Sequence, residues 1–243
     1  MSHGYPDYGV GAEIANIHRV TDLGELAVRL GSPSFFDRRG YVFWYDDMES
    51  GINRWETTTV GSGSKVETSP DYKLSGGYSM MLYAGIDGTS YAQAIAYSPY
   101  PVLSKIGLEA AIAFGGAPLY IRMDLHFHDG SWWYSYNLRW FPTSGLVQIL
   151  DDSGNYATVL TSEGITDTPQ LFNIIKLVVD PQRGHYHRLI LNSSEVDLSA
   201  YGCLAAESPI HPYIRCVFLN VGDGVNACPV YVDNVILTQQ EPA

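Results

Sequence analysis

The sequence predicts an all-β protein: a two-sheet antiparallel β-sandwich, preceded by an N-terminal arm with one short helix. Three observations predict the sheet architecture. The segment LYIRMDLHFH at 119–128 alternates strictly, with Leu119, Ile121, Met123, Leu125 and Phe127 on one side and Tyr120, Arg122, Asp124, His126 and His128 on the other. A period of two marks a strand with one face in a core and one in water. Beyond residue 41, apolar or alternating runs recur between turn residues at sandwich-like spacing. After residue 35 no stretch of ordinary helix length shows a helical period.

Taken in order, residues 1–20 carry no period, and Gly4, Pro6, Gly9 and Gly11 make them an irregular arm. Thr21 can cap a helix, Asp22 and Glu25 suit its first turn, and Gly31 and Pro33 close it. Leu23, Leu26, Ala27 and Leu30 give the span 22–30 one apolar face. A free helix this short is marginal in water, so it must pack on something. Residues 1–40 are therefore expected to be an assembly or attachment element, with Tyr5, Tyr8, Leu23, Leu26 and Leu30 as its contact residues. The sandwich is expected over 41–243. Its strands are predicted from Tyr41 and at 79–83, 91–97, 107–114, 119–128, 131–140, 146–150, 157–161, 172–180, 185–192, 213–221 and 230–238. Asp129-Gly130 is a hairpin turn. The return strand points Trp132, Tyr134, Tyr136, Leu138 and Trp140 one way, and Trp133, Ser135, Asn137 and Arg139 the other.

Composition narrows the partners. The chain has 243 residues, 46% of them hydrophobic, which is enough for a substantial core. Its 18 Tyr and 5 Trp suit half-buried sheet faces and binding surfaces. A net charge of −12 with no basic stripe argues against nucleic acid and anionic membranes. No run reaches the length of a membrane helix. The opening MSHGYPDYGV has neither the basic nor the apolar part of a secretion signal, so folding in a cytoplasm is expected. Cys203, Cys216 and Cys228 cannot all pair within one chain; Cys216 reads as a core residue, and a disulfide between two of the three stays open.

Two end motifs go together. DDMESGINRW at 46–55, followed by SGGYSMMLYAG at 75–85, resembles the opening of jelly-roll carbohydrate-binding modules. VYVDNVILT at 230–238 resembles their last strand. The stretch 174–199 is similar to concanavalin A-like and laminin-G-like sandwiches. The resemblance covers roughly residues 41–238, through short motifs that many sandwiches share, and it implies that the first and last strands lie together. Asp46, Asp47, Glu49 and Asp233 then face one another. They hold a structural Ca²⁺, a hard ion that takes oxygen ligands, or they accept hydrogen bonds from turn N–H groups. No other cofactor is expected. Trp55 is expected in the core, under the first turn.

The layout of arm and sandwich also resembles phage virion structural proteins. This implies a non-catalytic decoration or tail-associated protein, homo-oligomeric or bound to other virion proteins, found in a virion or outside the cell after lysis. The alternative is a carbohydrate-binding module. Its candidate residues are Tyr120, Arg122, Asp124, His126, Trp133, Asn137 and Arg139, where rings and planar polar groups share one sheet face. A second alternative is a glycoside hydrolase of concanavalin A-like fold, but Glu195 and Asp197 lack the third acid of that pattern. No nucleophile elbow, zinc-protease or phosphate-loop motif appears. The protein is expected not to be an enzyme.

Overall fold

The computed structural model describes residues 37, 39–99, 102–116, 118–161, 168, 170–226 and 228–242. The expected helix at 22–30 and the contact residues Tyr5, Tyr8, Leu23, Leu26 and Leu30 lie outside them. The described residues form sixteen strands and no helix. In chain order these are β1 (Tyr41–Asp46), β2 (Glu56–Val60), β3 (Lys65–Ser69), β4 (Ser79–Ala84), β5 (Tyr91–Pro99), β6 (Ile106–Phe114), β7 (Tyr120–His128) and β8 (Trp132–Phe141). They continue with β9 (Leu146–Leu150), β10 (Tyr156–Thr161), β11 (Asn173–Asp180), β12 (His185–Leu191), β13 (Ser194–Asp197), β14 (Leu204–Glu207), β15 (Tyr213–Val221) and β16 (Cys228–Gln239).

Two antiparallel sheets result. The first runs β13-β12-β11-β6-β16-β4-β3, with β1 also on β16; the second runs β10-β9-β8-β7-β15-β5-β2, with β14 also on β8. Strand β16 explains how the chain ends meet. Its first half pairs with β4, up to Val232↔Met80. Its second half pairs with β1, from Asp46↔Val235 onward. Its register on β6 shifts between Asp233 and Ile236, and Asn234 there has φ +49°. A bulge of this kind bends a strand and re-aims its side chains, so one strand serves two neighbours.

The core lies between the sheets. Leu82, Ile112 and Phe114 of the first sheet meet Met123, Leu125, Leu138, Trp140 and Phe218 of the second, all at 2% exposure or less. Of the residues predicted to face the core in 119–128, Ile121, Met123, Leu125 and Phe127 do so, whereas Leu119 precedes the strand and is exposed. Trp55 is buried against Phe218 and Trp44. All three cysteines are free and buried.

The first sheet is covered on its other face too, since β6 and β11 are buried at every position. There Lys176 meets Glu241 at 2.7 Å and Glu109 at 3.7 Å, and donates to the Arg39 carbonyl at 3.0 Å. Arg188 donates to the other oxygen of Glu241. A tail residue thus closes a nearly dry ionic cluster.

Candidate functional site

The acids grouped by the resemblance lie where the first and last strands meet, and each accepts N–H bonds. Asp46 takes the Met48 N–H at 2.9 Å and the Trp55 indole at 3.2 Å. Asp47 takes the Glu49 N–H at 3.2 Å. Glu49 Oε1 takes Gly77 and Tyr78 at 2.7 and 2.9 Å. Asp233 takes Leu74 and Ser75 on one oxygen, at 2.8 and 3.2 Å, and Asn234 on the other at 2.7 Å. Asn234 extends the contact, donating to Ser75 Oγ at 2.8 Å and accepting from the Tyr45 hydroxyl.

Two acids from opposite ends of the sequence therefore cap one loop, 74–78. Gly76 is required there: its φ is +64°, and a Cβ would stand 2.3 Å from Glu49 Oε1. Burial pushes the Asp233 carboxyl up to about 6, against the three N–H bonds that favour its charge. A calcium ion needs several oxygens turned toward one point. Here the oxygens turn toward N–H groups, and the described residues hold no group of three or more His, Cys, Asp or Glu arranged for a metal. The four acids form a hydrogen-bonded latch.

The candidate glycan face is the side of the second sheet turned away from the core. Cross-strand register sets Arg122 opposite Arg139, Asp124 opposite Asn137, and His128 opposite Trp133. It also sets Arg215 of β15 opposite His126, and Tyr213 opposite His128. The structure thus brings all seven sequence-predicted residues onto one face. It adds Tyr156 from β10, and Arg215, Tyr213 and Tyr97 from β15 and β5, which lie outside the 119–140 hairpin in sequence.

The centre of this face is not open to water, as alternation alone predicts. Asp124, His126 and His128 are 0%, 4% and 5% exposed. The cause is overlay by larger side chains. Arg122 Nε donates to both Asp124 oxygens, at 3.2 and 2.9 Å. Trp133 stacks on His126 at 5.3 Å and on His128 at 6.3 Å, and Tyr213 stacks on His128 at 4.4 Å. Tyr97 meets Tyr213 edge-on at 5.6 Å, so a row of rings crosses four strands. At the other end of the face the Arg139 guanidinium lies 3.5 Å from the Tyr156 ring centre and 4.9 Å from that of Tyr120.

The electrostatics follow from this packing. Burial alone raises the Asp124 pKa, but the His126 ring at 3.7 Å and the doubly bonded Arg122 bring it below the ordinary carboxylate range. Burial works against the charge of Arg122, and Asp124 outweighs it, so Arg122 titrates above its usual value. Burial lowers the pKa of His126, and the charges of Arg215 and Arg122 add to that against the pull of Asp124. His126 Nδ1 accepts from the Trp133 indole at 3.0 Å and lies 3.3 Å from Arg215 Nη2. With Nδ1 accepting from the indole, the ring's Nε2 is turned toward Asp124 Oδ2, at 3.7 Å and beyond hydrogen-bond distance.

These sheets and this face define a class by fold: a two-sheet antiparallel sandwich of the jelly-roll, concanavalin A-like kind. No protein-family model and no curated protein matches the sequence. Solved structures of similar fold include an endo-β-1,4-glucuronan lyase from the fungus Trichoderma reesei, at 11% identity and TM-score 0.57, covering 82% of this chain and 96% of that one. A conserved carbohydrate esterase from the Shiga toxin-encoding bacteriophage phi24B is similar at 10% identity and TM-score 0.54, covering 83% and 100%. A sialidase matches at 13% identity and TM-score 0.53; 85% of this chain is covered, and this chain spans 19% of that protein's length.

Proposed function

We propose that this sandwich binds a glycan on the outer face of its second sheet. The observation that carries the reading is the composition of that face. Half-exposed rings at both ends, Tyr97 and Tyr213 at one and Tyr120 and Tyr156 at the other, flank the partly exposed Arg122 and Arg215. Rings offer apolar faces to sugar C–H groups, and planar polar groups fix hydroxyl and carboxylate orientation. The glycan-directed names of similar folds agree with this reading.

Binding, rather than hydrolysis, fits the acids. A glycosidase of the usual kind needs two carboxylates across the scissile bond. Strands β7, β8 and β15 carry one acid on this face, Asp124, and Arg122 holds it under cover. The test is a glycan array with the full chain beside Tyr156→Ala and Tyr97→Ala. Retention on a defined glycan class that falls at least tenfold in both variants supports the reading; retention unchanged by both, or none at all, rejects it.

A second reading, a virion component attached through residues 1–40, draws on the phage protein of similar fold, which is matched over its whole length. Under this reading the protein is a homo-oligomer or binds other virion proteins. It is checked by the solution mass of the full chain and of a shortened chain starting at Arg39. An oligomer that becomes a monomer on shortening supports it; two monomers remove self-assembly.

A further inference from the structure

The chain carries 14 Lys and Arg against 26 Asp and Glu, so an arginine without an acidic partner is out of keeping with its surroundings. Three arginines stand on the outer face of the second sheet, and they are not equivalent. Arg122 is neutralised by Asp124. The Arg139 side chain makes no hydrogen bond and no ion pair among the described residues, and its Nε is buried and unpartnered. Arg215 reaches only His126 Nδ1, at 3.3 Å, and its Nε is also buried and unpartnered.

Both are held in place by other means. Tyr156 and Tyr120 lie against the Arg139 guanidinium, which orients its N–H edge without using it. Arg215 sits across from His126 in register, beside the row of rings that includes Tyr213 and His128. Arg122 already occupies Asp124, the one acid that β7, β8 and β15 carry on this face, so Arg139 and Arg215 stand there without an acidic partner among the described residues. Both arginines are half-buried, each with a buried Nε that has no hydrogen-bond partner, so each keeps N–H donors available to an anionic ligand on this face. A guanidinium edge matches a carboxylate in a planar, two-bonded geometry that ammonium groups do not reproduce.

We propose that the glycan is carboxylated, built of uronic acids or ended by sialic acid, and that Arg139 and Arg215 receive its carboxylates. This rests on the glycan-binding reading above. The two arginines are specificity residues, and the rings supply the stacking common to neutral and acidic sugars.

The experiment is titration calorimetry of the full chain with oligomers of glucuronic, galacturonic and mannuronic acid, each beside its carboxyl-reduced neutral counterpart, and with sialyllactose beside lactose. At least one acidic ligand is expected to bind ten times or more tightly than its neutral partner. Which pair shows the difference separates uronate from sialate. Arg139→Gln and Arg215→Gln are each expected to remove most of that difference, weakening the acidic ligand at least tenfold more than its neutral partner, with the thermal midpoint unchanged. Arg139→Lys, which keeps the charge and loses the fork, is expected to keep only a fraction of it.

Equal binding of acidic and neutral partners overturns the carboxylate assignment and leaves the glycan reading standing. Acidic selectivity untouched by either Arg→Gln change overturns the assignment of these residues. No binding to any member of the panel, acidic or neutral, ends both.

Discussion

Asp233 combines a buried carboxylate with three N–H donors, and the two effects oppose each other. Its folded pKa of about 6 lies above the ordinary value of 3.8, because burial outweighs the donors. A raised carboxyl favours folding fully below the unfolded pKa and loses that contribution as pH rises through the folded one. Between about pH 4 and pH 6 this group therefore withdraws on the order of 3 kcal/mol from stability. Urea midpoints of the natural chain and Asp233→Asn, compared at pH 4.5 and 7, isolate the effect: the variant is expected to lack this downward slope. His126 and His128 act in the opposite sense. Their lowered values add stability that is complete above about pH 6.5 and fades as pH falls, which is why the comparison with the variant is needed. Gly76→Ala in the same latch is expected to lower stability by about 1–3 kcal/mol through its positive φ and the crowding of Glu49. The latch is closed by N–H donors, so the thermal midpoint is expected to be the same in EDTA and in millimolar calcium. At this scale the sequence showed which residues share a face, but not which are buried. Asp124 and His126 look solvated in a linear pattern, and only the reach of Arg122 and Trp133 from neighbouring positions covers them.

The elements differ in how much of their stability is their own. The tail after β16 is held by Glu241, which meets Lys176 and Arg188 in a nearly dry setting. Removing one member of a buried ionic cluster leaves the others charged and unsolvated, at about 3–5 kcal/mol. Glu241→Ala is expected to lower the urea midpoint by that order with the m-value unchanged, and Lys176→Met to do the same from the other side. The long strands were legible because facing the core on one side or on both leaves a pattern in side-chain character: apolar and polar residues alternate along β7, while β6 and β11, buried at every position, are mostly apolar runs. Strands β2, β3, β13 and β14 were not. Strand β2 is ETTTV with every residue exposed, so it leaves no hydrophobic period and exists through its ladder to β5. Strand β15 was found as a strand, but its place between β5 and β7 was not. That neighbourhood is set by packing between distant segments, and it is what delivers Arg215 and Tyr213 to the candidate site.

At the scale of the whole molecule, overall charge and local charge have opposite signs. A chain of net charge −12 repels a polyanion at long range, yet the outer face of the second sheet presents Arg139 and Arg215 without acidic partners. The two fields respond differently to salt. Screening acts first on charges separated by more than a Debye length, about 10 Å near 0.1 M, and least on partly buried pairs in contact. Raising salt from a few millimolar to about 0.1 M should therefore remove mostly repulsion and leave the arginine–carboxylate contacts in place. Affinity for an acidic oligosaccharide is expected to hold level or rise over that range, then fall at several-fold higher salt as the contacts themselves are screened. A basic protein that collects polyanions through its overall field instead weakens steadily from the lowest salt upward. Calorimetric titrations at low, intermediate and high sodium chloride distinguish the two. A monotonic, steep loss from the lowest salt would contradict contacts that screening spares, and would remove the local arginine site as the source of binding.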